Sequence, residues 1–282
     1  MKTKRSIQMV LLLTVALMLT VPISTTMAGD VYWDDGGTYL INDDTYESDF
    51  VHLDFNTVND PGTHLDLVDG GKVGQLDAWN NATINMTGGW LDYIITYDAS
   101  TFDMTGGHTD GRAVNNSTMN ISGGSFTGFW VWDYSTVNFG GSADGRYFNA
   151  RDKGTINTSG GILEGIGSID ESIVNVYSGS NMEVIAVTES AIANLHGGLI
   201  SDYIGADDHS VIYIYGYNMQ ITNTGGTYGH GQVSGYWIDD TPFNINFYDE
   251  ETYSHIILVP EPLSICILGF GSLILINRNR NN

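Results

Sequence analysis

The chain of 282 residues carries 33 Asp and Glu against 10 Lys and Arg, a formal charge of −23. Only Lys72, Arg112, Arg146, Arg151 and Lys153 fall between residues 29 and 258, where five cations face 32 carboxylates, a balance of −27. That surface repels nucleic acid and anionic lipid, and with Cys266 the only cysteine the body has no disulfide to hold it.

Residues 1–28 read as a secretory signal peptide. Lys2, Lys4 and Arg5 precede an apolar run from Met9 to Val21, and Thr26-Met27-Ala28 ends in small residues suited to cleavage. The run is short for a membrane span, so export with removal after Ala28 is expected. Residues 29–58, rich in Asp and Glu, are predicted to be a polar lead-in that caps the first end of a repeat array.

From residue 59 to 216 one phrase recurs, clearest as Ser117-Thr118-Met119-Asn120-Ile121-Ser122-Gly123-Gly124. Its Asn, or the stand-in, falls at Asn85, Asp103, Asn120, Asn138, Asn157, Asn175, Asn194 and Tyr213, in steps of 17 to 19 residues. Apolar residues flank each of these positions, as Met119 and Ile121 flank Asn120, which is the alternation of a strand with the Asn outward. Paired glycines such as Gly123-Gly124 come after most copies and supply one corner. Asn80, Asp98, Asn115, Asp133, Asp152, Asp170 and Asp208, with Thr188 as an exception, mark a second. Glycine pairs and β-branched residues oppose a helical repeat. The expected fold is all-β: a single-stranded parallel β-helix of about 18 residues per coil, right-handed, with terminal caps. A calcium-binding nonapeptide roll has a similar period, but Gly140-Gly141-Ser142-Ala143-Asp144 places its Asp out of register. Residues 217–258 depart from the phrase and read as a C-terminal β cap, with a turn at Trp237–Pro242 leading into an alternating strand.

Residues 259–282 contain Val259-Pro260-Glu261-Pro262, an apolar run from Leu263 to Ile276, and Arg278 and Arg280 near the end. This tail resembles the PEP-CTERM sorting signal of exported proteins of Gram-negative bacteria. The resemblance implies recognition by an exosortase-type membrane enzyme through Pro260, Glu261, Pro262, Arg278 and Arg280. It also implies delivery to the cell surface, outer membrane or extracellular matrix. Fourteen apolar residues span about 21 Å as a helix, short of a hydrocarbon core of about 30 Å, so membrane association is expected to be transient.

Chemistry-bearing residues are sparse. Asp110-Gly111-Arg112 and Asp144-Gly145-Arg146 repeat one tripeptide, and Asp92, Asp110, Asp144 and Glu164 each stand three residues after a glycine pair. Stacked carboxylates would meet the spacing of glycosidases, and Arg beside carboxylate resembles the sites of β-helical polysaccharide lyases. A structural ion pair at a corner is the simpler reading. Asp207, Asp208 and His209 are the best metal-ligand grouping, against a default of a solvated corner. No Ser-His-Asp order, phosphate loop or zinc spacing points to a cofactor, and none is expected.

Two outward files are more unusual. Thr83, Thr101, Thr118, Thr136 and Thr155 form one, and Asn85, Asp103, Asn120, Asn138 and Asn157 the other. A flat lattice of hydroxyls and amides suits extracellular polysaccharide, or ice, whose β-helical binders use Thr files. The plainer alternative is that these residues suit an exposed strand and that stacked amides stabilise it. The sequence thus favours a structural or glycan-contacting surface protein over a polysaccharide lyase or glycoside hydrolase.

Overall fold

A computed structural model describes residues 29–58 and 61–260. The expected signal peptide, with Glu261, Pro262, Arg278 and Arg280, lies outside the described residues. Among the described residues 23 strands form a parallel β-solenoid with two sheets. Each coil gives one short strand, such as Thr118–Ile121, to the first sheet and one longer strand, such as Ser125–Val131, to the second. Two strands per coil, rather than one between two corners, is the main feature that the phrase itself did not announce.

The short-strand sheet is built on the repeated phrase. Asn85, Asp103, Asn120, Asn138, Asn157, Asn175, Asn194 and Tyr213 pair in unbroken succession. In Thr118–Ile121 burial alternates, with Met119 and Ile121 inward and Thr118 and Asn120 at the surface. Large apolar side chains therefore stack in continuous inward columns, Ile84, Phe102, Met119 and Val137 in one and Met86, Met104, Ile121 and Phe139 in the next. Burial on this scale is the main favourable term, at about 25 cal/mol per Å² of apolar surface.

Longer strands carry a doubled outward position. In Trp90–Thr96 the inward residues are Leu91, Ile94 and Thr96, and Asp92 and Tyr93 both lie between the first two. This is a β-bulge, which bends the strand toward its corner. His108–Ala113 is one residue shorter and alternates strictly, so the pairing slips between Leu91 and Tyr93 and again between Ser125 and Phe129. The missing bulge residue is why the step from Asp103 to Asn120 is 17. In the 19-residue step from Asn138 to Asn157 the extra residue sits in the corner before Asp144, where Asp144 takes the register of Ser125.

The Asp/Asn corner is left-handed throughout. Asn80, Asp98, Asn115, Asp133, Asp152, Asp170 and Asp208 have φ between 56° and 64°, the region in which Asn and Asp are the best tolerated non-glycine residues. The expected exception at Thr188 is corrected: the left-handed residue of that coil is Glu189, one place on, with φ of 60°. Two residues after this corner comes a buried small residue. Ser117, Ser135, Ser172 and Ser210 each turn the hydroxyl onto carbonyls of their own corner or of the previous coil, as Ser135 does onto Ala113 and Trp132.

Residues 29–58 are not a lead-in. Asp30–Trp33 pairs with Tyr46–Leu53 and Thr38–Ile41 with His64–Leu67, so the ladder begins at the first described strand. Most of their acidic residues face outward while Ile41, Val51 and Leu53 enter the core, and Asp54 is buried, where it accepts from the Thr63 N–H and hydroxyl. At the other end Val211–Thr222 runs from the short-strand sheet into the long-strand sheet. There it forms antiparallel pairings with Gln232–Tyr236, which pairs in turn with Pro242–Phe247. Pro242–Phe247 and Ile256–Pro260 then rejoin the two sheets in parallel, so residues 217–258 close the ladder with one interrupted coil.

Ile121 is 1% exposed in the middle of this stack. Ile121→Asp buries an unpaired carboxylate and is expected to cost more than about 4 kcal/mol, lowering the melting temperature by roughly 10 °C or more. A thermal melt superimposable on the parent's contradicts the inward assignment.

Candidate functional site

On the short-strand sheet the two outward files run side by side in register. Thr83, Thr101, Thr118, Thr136 and Thr155 are direct neighbours in the pairing, spaced by about 4.8 Å as strands of one sheet are. The file then turns aliphatic at Ile173, Ile192 and Val211. On the N-terminal side it continues to His64, whose Nδ1 lies 2.7 Å from the Thr83 hydroxyl.

The amide file is a hydrogen-bonded ladder. Nδ2 of Asn138, Asn157, Asn175 and Asn194 each donates to Oδ1 of the preceding rung at 2.8 to 2.9 Å. Asn120 donates to Asp103 at 2.6 Å and Asn85 to Asp66 at 3.2 Å. Asp103 has no N–H to offer Asn85, so the ladder is interrupted there. One N–H and the carbonyl of each inner Asn are thus committed within the protein. The Thr hydroxyls, with the second N–H of each amide, make up the remaining polar lattice.

The two tripeptides do not form a common site. Asp144 stands in the file of His108 and Ser125, whereas Asp110 pairs with Tyr93, so the acidic column and the matching positions expected for Asp110 and Asp144 are both corrected. The corner before Asp144 is longer, and counting from the glycine pair misplaces it. The shared glycine has a core reason. A Cβ on Gly111 would stand 2.8 Å from the Phe129 ring, and one on Gly145 2.0 Å from Phe126. Both make room for the cluster of Phe126, Phe129, Phe139 and Phe148.

The outward members are also engaged. Asp110 accepts from the backbone N–H groups of Thr127 and Gly128, holding the bulge of the next coil. Arg146 donates through Nε to Glu164 at 2.8 Å and holds that carboxyl below its usual range. Arg112 lies with its guanidinium 4.5 Å from the Trp132 ring centroid, and Arg151 lies 5.5 Å from the same ring. With Trp79 and Tyr97 stacked at 3.7 Å, this corner edge carries a file of planar groups.

One constellation is not marked by any sequence motif. His52, Asp77, Ile95 and Arg112 occupy one outward file of the long-strand sheet, with Tyr93 and Tyr97 beside it. The Asp77 side chain is 13% exposed, lies 3.7 Å from His52 Nδ1 and accepts from Gln75 at 2.9 Å. Burial pushes the Asp77 carboxyl up, and burial likewise raises the phenols of Tyr93 and Tyr97. Successive members of the file come from different coils, and only knowledge of the second strand's register brings them together.

Asp207, Asp208 and His209 occupy a corner before Val211–Thr222, where the Asp207 carboxylate accepts the Asp208 N–H at 2.6 Å. Among the described residues no three His, Cys, Asp or Glu converge so as to hold a metal ion, and this triplet is no exception. Carboxylates stack on this edge instead: the neighbouring Asp170 raises the Glu189 carboxyl. Comparison of the chain with protein-family models, curated proteins and solved structures finds no match in any of the three.

Two substitutions test this geometry. Asn138→Ala removes two ladder bonds, to Asn120 and from Asn157, and is expected to cost about 1–2 kcal/mol, or roughly 2–8 °C in melting temperature. Asp77 titrates in the opposite sense to a stabilising carboxylate. Its folded-state pKa lies above the unfolded value, so its contribution to stability falls as pH rises through the carboxylate range. Asp77→Asn is therefore expected to melt above the parent at pH 7, with the gap closing below about pH 4. A gap that widens on acidification contradicts the assignment.

Proposed function

We propose that this protein is exported, handled at the inner membrane through its C-terminal tail, and works at the cell surface or in the extracellular matrix of a Gram-negative bacterium. Its solenoid serves there as a structural, glycan-contacting component. The observation that carries this reading is the Thr file running in register over five coils beside a self-paired amide ladder. A rigid row of hydroxyls at a constant rise matches an extended polymer with a constant repeat better than it matches a small molecule. The strongly acidic body favours a neutral polysaccharide over an anionic one.

The tail supports the address. Among the described residues Pro260 is the last of the final strand, so an exosortase-type enzyme acting near Pro260-Glu261-Pro262 would cut next to the solenoid and spare its paired strands. Removal would release the body without Cys266. Intact-mass analysis of the protein recovered from cells is expected to show loss of Leu263–Asn282, and a product that retains those residues makes this a tail-anchored protein instead.

For the glycan contact, Thr118→Lys with Thr136→Lys is expected to weaken sedimentation with insoluble neutral polysaccharide at least ten-fold without changing the melting temperature by more than about 2 °C. Unchanged sedimentation rejects the Thr face as the contact. The half-buried Asp77 with His52, Tyr93 and Arg112 favours a second reading, a polysaccharide lyase or hydrolase. Unsaturated or reducing ends released by the parent and lost in Asp77→Asn would establish it, and no release from neutral or uronate polymers removes it.

A further inference from the structure

The C-terminal hairpin folds back onto the long-strand sheet and is pinned there twice. Trp237 is 1% exposed, stacks on Phe243 at 4.0 Å and donates its indole N–H to the Gly198 carbonyl at 3.0 Å. Asp239, in the same turn, accepts from the Ser178 hydroxyl at 2.6 Å across 61 residues of sequence, and from the Thr241 N–H at 3.1 Å. Between the pinned turn and the corners at 178–181 and 198–200 lies a cleft of about 370 Å³.

Its lining is divided. Leu199, 59% exposed, and Pro242 give it apolar surface, while Asn181, Asn244 and Asp239 bring two amides and a carboxylate to the same space. The hydrogen bonds from Ser178 and Thr241 hold the Asp239 carboxyl below its usual range, so it is an anionic acceptor at neutral pH. Each of its oxygens retains acceptor capacity beyond the bond it already receives.

A pyranose ring has a C–H face and a rim of hydroxyls that both donate and accept. The volume is at the lower end of ligand pockets, about 300–1,000 Å³, and suits one or two such rings. Asp239 is the charged side chain of the lining, which disfavours a uronate or a sulfated sugar.

We infer that this cleft is a binding site for a neutral hexose unit, with its C–H face on Leu199 and Pro242 and its hydroxyls on Asp239, Asn181 and Asn244. The inference rests on the glycan-contacting reading of the solenoid but uses a separate surface from the Thr face. It adds a point of attachment for a single sugar unit or a chain end to a face suited to an extended chain.

The test is calorimetric titration of the full-length protein with soluble gluco-, galacto- and manno-configured oligosaccharides and with a uronate oligosaccharide. Asn181→Ala and Leu199→Ala replace exposed side chains and keep the fold, which melting curves check. At least one neutral series is expected to bind, with Kd raised ten-fold or more in each cleft variant and unchanged in Thr118→Lys with Thr136→Lys. Neutral binding that survives both cleft variants, preference for the uronate, or no binding of any neutral series at millimolar concentration overturns the cleft. Loss of polysaccharide sedimentation in the Thr-face variant with calorimetry unchanged by the cleft variants sinks the cleft alone. The converse pattern keeps the cleft and sinks the Thr face.

Discussion

In-register parallel stacking is the constraint on which the rest of this structure depends. Every coil must return to the same two strand positions one inter-strand spacing further along, whatever the number of residues it uses. Backbone hydrogen bonds demand this on both sheets, and the inward columns reward it by placing apolar side chain on apolar side chain. Variation in length is therefore concentrated in two places, the bulge of the longer strand and the corner before it. The 17-residue step omits a bulge residue, and the 19-residue step from Asn138 to Asn157 adds one to the corner. Left-handed Asp and Asn residues close the other corner with nearly constant φ, so that side varies little.

The same constraint explains what could be read from the sequence. The Asn file is legible in the sequence from Asn85 to Tyr213 because its strands alternate strictly without a bulge, most of them over four residues. The opposite sheet is not, because a bulge shifts outward positions by one and hides the period of two. Asp110 and Asp144 show the cost: both stand three residues after a glycine pair, yet the longer corner before Asp144 moves it into another file. The His52–Asp77–Arg112 file was invisible for the same reason. Residues 29–58 read as a lead-in because Leu40 holds the Asn position there and no glycine pair comes after Thr38–Ile41. Their inward residues kept the pattern that their surface residues had lost.

Function rests on how the outward residues divide. Arg112 stacks on Trp132, Arg146 pairs with Glu164 and Asp110 supports a bulge, contacts in keeping with the simpler structural reading of the two tripeptides. The amide ladder commits much of its hydrogen-bonding capacity to itself, and the Thr file stands in register beside it. Among the described residues, polar features with room for a partner include that file, the half-buried Asp77 group and the cleft under the Trp237 turn. The proposed contact for an extended chain and the proposed cleft for one sugar unit lie on separate surfaces of one solenoid. The acidic body would disfavour anionic partners at both.

Equal rise per coil is the claim that most needs direct measurement. Spin labels on Cys residues introduced at Thr83 and, in turn, at Thr155, Ile173, Ile192 and Val211, in a Cys266→Ser background, report it by dipolar spectroscopy. These positions lie four, five, six and seven rungs from Thr83 in the paired file. The mean distance is expected to grow by about 4.8 Å for each rung, whether the coil between has 18 or 19 residues. Distances that scatter, or that fail to increase from Thr155 through Val211, contradict the stacked ladder.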